Sequence, residues 1–384
     1  MMSRFNEHIT QALAERHQQG LYRQRVCLER TAQHVNHQGK SLLNFSSNDY
    51  LGLAQDPQLL QAWQQGLQRF GAGSGASPLV TGFNHPHQQL EQQLAEWLGY
   101  DRALLFNSGF SANQAVLFTL LNKAHTLLQD KLNHASLIEA GMLSPAPMKR
   151  FKHNDVSHLS RLLCQQADQA SLVVTEGVFS MDGDLAPLAD ISNLTQAADA
   201  WLMVDDAHGC GVLGEKGRGS CDLAKIKADI LVVTFGKAFG LQGAAVLCSE
   251  ETAEYLVQFA RHFIYSTAMP PAQAYALSQA CELIQQGDWR REKLAHLSHE
   301  FEQALDSAIG FTNTPSPIKP LLVGCSEKAM QLSHALSQRG CWVSAIRPPT
   351  VPANSARLRI TLTASHSIED VKYLATTINE VMYD

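Results

Sequence analysis

The sequence lacks any long apolar segment. None of its hydrophobic runs approaches the roughly 18 residues that a membrane-spanning helix needs. Residues 1–25 carry charges such as Arg4, Glu7 and Arg16, and they contain no continuous apolar core of a secretory signal. We therefore expect a chain that is neither embedded in a membrane nor secreted.

An excess of positive charge is also missing. The chain has 30 lysines and arginines against 36 aspartates and glutamates, a net charge of −6, and no dense basic run. Because a nucleic-acid-binding surface needs clustered Lys and Arg side chains to neutralise phosphates, nucleic acid is not an expected partner. With 45% hydrophobic and 17% charged residues over 384 positions, the composition is that of a folded globular chain.

Cysteine pairs with a short spacing are absent too. The eight cysteines are scattered and include no Cys-x-x-Cys motif, a pattern that favours a reducing cytoplasm over an oxidising compartment. Among the 16 histidines, His85 and His87 are close together in a predicted turn, but they lack the spacing of a zinc-binding helix. We predict no metal site.

Periodic apolar residues predict several helices. Residues 5–13 place apolar side chains four apart and are followed by Gly20, which indicates a short amphipathic N-terminal helix. Asp56-Pro57 supplies a cap and a first-turn proline for a second helix, and leucines in residues 90–98 predict a third. The glycine-rich segment 71–82 between them is predicted to be a flexible loop.

Short apolar runs recur between residues 100 and 250, most of them separated by helix-length segments. They are residues 103–106, 172–175, 201–204, 230–234 and 243–248. Runs of this kind are typical of buried parallel strands with helical crossovers. We therefore predict a doubly wound α/β fold whose chemistry lies at the carboxyl ends of the strands.

The pattern changes near Gly287-Asp288, where a polar helix leads into a segment with several prolines. We predict an N-terminal helix and segment over residues 1–50, a large domain over 51–288 and a small C-terminal domain over 289–384. The last helix is predicted to be capped by Ser367 and to present one apolar stripe over 371–381.

A lysine in a turn after a predicted strand is the first candidate for chemistry. The segment TFGKAFG at residues 234–240 places Lys237 between glycines at the edge of the sheet. Burial and nearby cations lower the pKa of an amine, which can then form a Schiff base with an aldehyde. The alternative is a solvated loop lysine. A P-loop is excluded, because Leu231 and Ala238 occupy positions that need glycine and Ser or Thr.

Two acids and a histidine follow another predicted strand, in VDDAHG at residues 204–209. A carboxylate that faces a pyridine nitrogen keeps it protonated and makes the ring an electron sink, and His208 can reach the phenolic oxygen of such a ring. Alternatively, Asp205 or Asp206 caps the next turn and His208 is a core histidine.

A third strand end suits an anion. The segment SGF at residues 108–110 opens a predicted helix, so the backbone N–H groups of Gly109 and Phe110 can hold a phosphate at the positive helix end. Hydroxyl groups that could add donors are those of Thr234, Ser266 and Thr267. His134 presents either a flat ring to the site or a helix cap.

These segments stand in the order found in one enzyme family. They are NFSSNDYLGL (44–53), the loop 73–82, NSGF (107–110), HAS (134–136), TEGVFSMDG (175–183), VDDAHG (204–209), TFGK (234–237), YSTAMPP (265–271) and AIRPPTVP (345–352). Over nearly its whole length the chain resembles the α-oxoamine synthases, which depend on pyridoxal phosphate. The resemblance implies pyridoxal-phosphate fold type I, the aspartate-aminotransferase-like α/β fold. Its large domain would bind the cofactor on a mainly parallel sheet, and its smaller C-terminal domain would be α+β.

The resemblance also implies how the cofactor is held. Lys237 would form the Schiff base with pyridoxal 5'-phosphate, Asp205 would pair with the pyridine nitrogen, and His134 would stack on the ring. The other implied contacts are Ser180 and His208 to the ring oxygen, Gly109, Phe110 and Thr234 to the phosphate, and Ser266 and Thr267 from the second subunit of a homodimer.

The implied reaction is the condensation of L-alanine with a pimeloyl thioester, carried on coenzyme A or a carrier protein, with loss of carbon dioxide. The residues implied to meet substrate are His134, Thr350, Arg359 and an N-terminal arginine, Arg23 or Arg25, with Arg357 as a substitute for Arg359. Three alternatives remain open: a sibling enzyme that joins glycine or serine to another acyl-CoA, an aminotransferase or decarboxylase, and a non-enzymatic regulator.

Overall fold

The computed structural model of the chain describes residues 3–166 and 169–383. Its strands, in chain order, are β1 (Glu29–Arg30), β2 (His34–His37), β3 (Lys40–Asn44), β4 (Arg102–Phe106), β5 (Thr126–Asp130), β6 (Met148–Phe151), β7 (Ser171–Glu176), β8 (Trp201–Asp205), β9 (Ile230–Thr234), β10 (Ala244–Cys248), β11 (Ile318–Gly324), β12 (Cys341–Trp342), β13 (Ser344–Ile346) and β14 (Ala356–Thr361).

α-Helices pack on both faces of the central sheet. In chain order, the α-helices of the chain are α1 (Arg4–Gln18), α2 (Pro57–Phe70), α3 (His85–Leu98), α4 (Gly109–Leu120), α5 (Ala135–Leu143), α6 (Val156–Cys164), α7 (Leu188–Ala197), α8 (Ser220–Leu223), α9 (Glu250–Phe259), α10 (Arg261–Ile264), α11 (Pro271–Gln285), α12 (Asp288–Ala304), α13 (Ser326–Gln338) and α14 (Ile368–Tyr383).

The central sheet has seven strands in the order β4-β10-β9-β8-β7-β5-β6. Strands β5 to β9 are parallel to one another, whereas β10 runs antiparallel to both β4 and β9. It follows that β4 runs in the same direction as β9, and the carboxyl ends of both meet at one edge. The predicted mainly parallel α/β sheet is confirmed, but the expectation that run 243–248 is a parallel strand is wrong. Residues 235–243 return the chain to the same edge without a helical crossover.

Helices on both faces of this sheet explain why its strands are apolar throughout. On β7, Val173 packs into one buried cluster and Val174 into the other. Leu231 and Val232 of β9 alternate in the same way. Because successive side chains of a strand point to opposite faces, a strand buried on both faces has no polar alternation.

The predicted helices over residues 5–13 and 90–98 are present as α1 and α3, and those predicted to begin at Asp56-Pro57 and after Ser367 are present as α2 and α14. Two local expectations are wrong. His85 and His87 lie in the first turn of α3 instead of in a turn, and the buried His87 ring contacts the backbone oxygen of Met269 at 2.8 Å. Part of the segment 71–82 is ordered as a π-helical turn, Pro78–Gly82. No helix in the described part of the chain is both long and apolar enough to cross a membrane.

Two smaller sheets flank the central one. The sheet β1-β2-β3-β12 joins the N-terminal segment to residues from the C-terminal third, since Cys341 and Trp342 pair in parallel with Leu43 and Asn44. The second, β11-β14-β13, is antiparallel. The division of the chain at residues 50 and 288 stays a prediction. Helix α1 buries none of its residues against the chain.

Candidate active site

A cavity of about 290 Å³ opens at the carboxyl edge of the central sheet. Residues that end or follow β4, β5, β7, β8 and β9 form its wall. The candidate residues from the sequence that line it are Gly109, Phe110, His134, Asp205, His208, Thr234 and Lys237. The fold therefore brings together segments that are far apart in the chain.

Lys237 lies in the connection between β9 and β10. Gly240 of this connection has φ +72°, and a Cβ there would lie 2.4 Å from the backbone nitrogen of Ala54, so the turn requires glycine. Burial lowers the pKa of the Lys237 amine to about 8, an effect that the carboxylates of Asp205 and Glu176 oppose. Among residues 3–166 and 169–383, none accepts a hydrogen bond from Nζ. The amine is therefore available to a reactant in the cavity.

Asp205 and Asp206 are adjacent in the chain but face different surroundings. Oδ2 of Asp205 accepts a hydrogen bond from Nδ2 of Asn113 at 2.7 Å, and Asp205 lines the cavity. Asp206 is fully buried, and its carboxylate accepts from the backbone N–H and the hydroxyl of Ser220 at 2.8 and 2.5 Å. Asp205 is thus the acid that offers a carboxylate to a group in the cavity.

Glu176 is a third carboxylate in the wall, and the sequence reasoning missed it. It ends β7 directly beside Asp205 of β8, and its Oε1 is buried without a hydrogen-bond partner among the described residues. Burial, together with the neighbouring Asp205 charge, raises the pKa of Glu176 well above its ordinary value. The motif TEG places Glu176 at the end of a predicted strand, which could have made it a candidate. That this strand end lies beside Asp205 depends on the sheet order, which the motif does not give.

His208 is held by a tyrosine that was not a candidate. Nδ1 of the buried His208 ring lies 2.6 Å from the hydroxyl of Tyr50, and this hydroxyl lies 3.2 Å from Oδ1 of Asn48. Burial, reinforced by Lys237 and Arg359, lowers the pKa of His208 well below its ordinary value. These effects favour the neutral form of the ring. Tyr50 and Asn48 belong to the NFSSNDYLGL segment, but nothing local in that segment indicates a contact with residue 208.

The other end of the cavity fits a phosphate group. Ser108 caps helix α4, so the free N–H groups of its first turn, at Gly109 and Phe110, lie at the positive helix end. A Cβ on Gly109 would lie 2.5 Å from Cγ2 of Thr234, which explains why glycine is needed there. The Thr234 hydroxyl is buried and has no partner within the described residues. An oxygen-rich ligand would supply the missing partner.

His134 caps the first turn of α5. Its Nδ1 accepts from the backbone N–H of Ser136 at 3.2 Å and lies 2.8 Å from the Ser136 hydroxyl. Burial lowers the pKa of His134; Asp205 opposes this effect and Lys237 adds to it. The two interpretations of His134 are therefore compatible, since the residue is a helix cap and also part of the cavity wall.

The two C-terminal arginine candidates differ in their partners. Arg359 on β14 donates from Nε to the backbone oxygen of Ser180 at 2.6 Å and from an η nitrogen to Asn48 at 3.1 Å. Because Asn48 lines the cavity, Arg359 stands directly behind its wall. Arg357 is neutralised by a close ion pair with Asp182. Arg359 is therefore better placed than Arg357 to receive an anion.

The remaining candidates do not line this cavity. Arg23 donates to the hydroxyl of Thr350 at 3.2 Å in an exposed contact between the N-terminal segment and the loop after β13. Ser266 and Thr267 line a separate small pocket, where the backbone oxygen of Thr267 accepts from Nδ2 of Asn107 at 2.8 Å. Their predicted role in the site of a second subunit stays a prediction.

Comparison with known proteins gives full-length matches. The chain is 69% identical to 8-amino-7-oxononanoate synthase of Photobacterium profundum, over 99% of this chain and 98% of that protein. The solved 8-amino-7-oxononanoate synthase of Francisella tularensis is 33% identical, with a TM-score of 0.78 over 89% of this chain and 98% of the other. A serine palmitoyltransferase from S. paucimobilis, solved with bound PLP and myriocin, is 26% identical, with a TM-score of 0.92 over 100% and 99% of the two chains.

The model of the aminotransferase class I and II family matches residues 40–378. This span contains every segment that lines the cavity. The predicted resemblance to pyridoxal-phosphate-dependent enzymes and the predicted fold type are therefore confirmed. The chain belongs to the aminotransferase class I and II family, in which it groups with the 8-amino-7-oxononanoate synthases.

Proposed function

We propose that the chain is a pyridoxal-phosphate-dependent acyltransferase that condenses L-alanine with a pimeloyl thioester. The products are 8-amino-7-oxononanoate, the free thiol carrier and carbon dioxide, in a step of biotin biosynthesis. The observation that carries the proposal is the meeting of Lys237, Asp205 and His134 in one cavity. The 69% identity to 8-amino-7-oxononanoate synthase of Photobacterium profundum supports these substrates over those of sibling enzymes.

The residues of the cavity fit pyridoxal phosphate. The unpartnered hydroxyl of Thr234 and the N–H groups of Gly109 and Phe110 suit its phosphate, and the Asp205 carboxylate suits its ring nitrogen. His208 and Ser180 are the proposed contacts of its phenolic oxygen. When bound, the cofactor supplies an aldehyde that reacts with amines and a pyridine ring that withdraws electrons from the Cα of the amino acid.

The chain's own groups move the protons of the reaction. Lys237, with a pKa of about 8, takes the proton from Cα of alanine and later returns one to the product carbon. Asp205 keeps a proton on the pyridine nitrogen throughout. His134 donates a hydrogen bond to the thioester carbonyl oxygen. The Cα then forms a bond to the carbonyl carbon, the C–S bond breaks, and the thiolate leaves and takes a proton from solvent. The carboxylate of alanine leaves as carbon dioxide, and its bonding electrons stay on Cα, the carbon that Lys237 protonates.

Arginines position the substrate. Arg359 is the proposed ligand of the alanine carboxylate, because its guanidinium lies against the cavity wall through Asn48. The Arg23 and Thr350 contact is the proposed meeting point with the acyl substrate.

The proposed assembly is a homodimer in the cytoplasm. Ser266 and Thr267 line a pocket outside the Lys237 cavity, a position that supports a role toward a second copy of the chain. All eight cysteines are free thiols, which supports a reducing compartment.

The test is a substrate panel. Purified protein is given alanine, glycine or serine, each with pimeloyl-CoA or acetyl-CoA, and free thiol and product mass are measured. We expect the fastest thiol release with alanine and pimeloyl-CoA. Faster release with glycine and acetyl-CoA would favour a sibling condensing enzyme, and amino transfer without thiol release would favour an aminotransferase. Borohydride reduction and peptide mapping should place the cofactor on Lys237, and a label elsewhere would reject the proposal.

A further inference from the structure

A chain of hydrogen bonds in the wall of the cavity connects Asp205 with His134. Nδ2 of Asn113 donates to Oδ2 of Asp205 at 2.7 Å and to Oγ of Ser136 at 2.9 Å. Oγ of Ser136 in turn lies 2.8 Å from Nδ1 of His134. Asn113 and Ser136 are each 1% exposed, so water does not compete for these bonds.

The direction of every bond follows from Asp205. A carboxylate offers only acceptor oxygens, so Asn113 must turn its amide nitrogen toward it and not its amide oxygen. The same nitrogen directs its second hydrogen to Oγ of Ser136. Having accepted this bond, the Ser136 hydroxyl has its own hydrogen left to donate, and Nδ1 of His134 is the neighbour that receives it.

Nδ1 of His134 therefore receives two donors. The second is the backbone N–H of Ser136 at 3.2 Å. A ring nitrogen that accepts hydrogen bonds carries no proton, and a neutral imidazole then carries its single proton on Nε2.

We propose that Asn113 and Ser136 are positioning residues that hold His134 as the Nε2–H tautomer. His134 then presents a hydrogen-bond donor, and not a base, to the cavity. That this donor meets the thioester carbonyl oxygen rests on the proposed function. Charge develops on that oxygen during attack, and a donor that is fixed beforehand stabilises it without reorganisation.

The tautomer is measured directly by ¹⁵N NMR on full-length protein labelled at histidine, with and without pyridoxal phosphate. The His134 signals are identified by their loss in His134→Gln. We expect Nδ1 to resonate as an unprotonated nitrogen and Nε2 as a protonated one. A protonated Nδ1 in the unsubstituted protein would overturn the proposal, whatever the variants do.

Variants of Ser136 test the relay. Ser136→Ala removes the hydroxyl donor, so we expect some of the Nδ1–H tautomer to appear and kcat to fall about tenfold, while KM for alanine changes less than twofold. Ser136→Thr keeps the hydroxyl and should restore both readouts. The matched control is Ser144→Ala at the other end of α5, whose hydroxyl bonds to the backbone oxygen of Gly141. Ser144→Ala should change neither the His134 signals nor kcat.

If Ser136→Ala leaves the His134 signals unchanged, or if Ser136→Thr is no better than Ser136→Ala, the relay is rejected. The NMR measurement needs no turnover, so a failed substrate panel with the expected Nε2–H signal would count against the proposed function alone.

Discussion

Burial lowers the pKa of Lys319 and of Lys237, but the surroundings of the two amines are opposite. Lys319 on β11 is 1% exposed, and its Nζ donates to the backbone oxygen of Thr314 at 2.7 Å, to Glu302 at 3.0 Å and to Asn313 at 3.5 Å. Lys237 faces the cavity with no such acceptor among the described residues. Burial lowers the pKa of both amines, but only Lys319 has acceptors for all three of its hydrogens.

Two histidines, His153 and His208, also differ in their surroundings. His153 lies between Asp130 and Asp184, at 3.0 and 2.8 Å, and these carboxylates overcome burial and raise its pKa to about 10. Within residues 3–166 and 169–383 no carboxylate contacts His208, and burial lowers its pKa well below its ordinary value. His153 is thus held between two carboxylates, whereas the ring of His208, paired with the Tyr50 hydroxyl, faces the cavity.

The largest expected effect comes from removing the reactive amine. Lys237→Ala should lower the rate of thiol release by about 10⁴-fold, because the proton transfer at Cα loses its base. Its unfolding temperature should not fall, since no hydrogen bond is lost. Thiol release and thermal unfolding are measured on the same preparation. Near-normal turnover would contradict the role of Lys237.

Variants of the adjacent residues Asp205 and Asp206 should also differ, the first in activity and the second in stability. Asp205→Asn should lower kcat by about 10²-fold or more, because a neutral amide no longer favours a protonated pyridine nitrogen. Asp206→Asn is the control, since that side chain bonds to Ser220 and not to the cavity. It should lower stability and leave the rate per folded molecule unchanged. Equal losses of rate in both variants would remove the distinction.

Lys319→Met should do the reverse of Lys237→Ala. It leaves the buried acceptor of Thr314 without its donor, so we expect the free energy of unfolding to fall by about 2 kcal/mol with normal kcat. Denaturant titration measures this. The control, Lys372→Met, breaks a surface ion pair with Glu300 and should change stability little. Loss of kcat in Lys319→Met would place Lys319 in the site.

The smallest expected effect is on the pH dependence of cofactor uptake. The pKa of Lys237 is lowered to about 8 by burial, so its neutral form increases as pH rises through 8. Uptake of pyridoxal phosphate by cofactor-free protein should therefore slow by up to about tenfold per pH unit below 8 and level off above it. Stopped-flow absorbance measures the rate. A midpoint of the uptake rate near pH 10 would show that the pKa of the Lys237 amine is not lowered.

Much of this arrangement can be predicted from local sequence. Apolar runs predicted β7, β8 and β9, and motifs after them predicted Asp205 and Lys237, because strand ends lie at a common edge. Strand β5 was missed because it contains the polar residues Gln129 and Asp130, and β6 because it includes Lys149 and Arg150.

The remaining features depend on contacts that are distant in sequence. Glu176 lies beside Asp205 because of the sheet order, and Tyr50 meets His208 through a contact that spans 158 positions of the chain. Local patterns encode neither. The direction of β10 cannot be predicted from local sequence either, because a strand buried on both faces has the same composition whether it runs parallel or antiparallel to its neighbours.

The length of the connection 235–243 is constrained at both ends, because β9 and β10 pair directly, with Ala244 opposite Thr234. On β10, Ala245 and Leu247 pack into one core cluster, while Val246 and Cys248 pack into the other. One inserted residue that shifted the register would exchange these two sets of side chains between the faces. A change in the number of residues between Thr234 and Ala244 is therefore expected to disturb the packing of β10 as well as the position of Lys237.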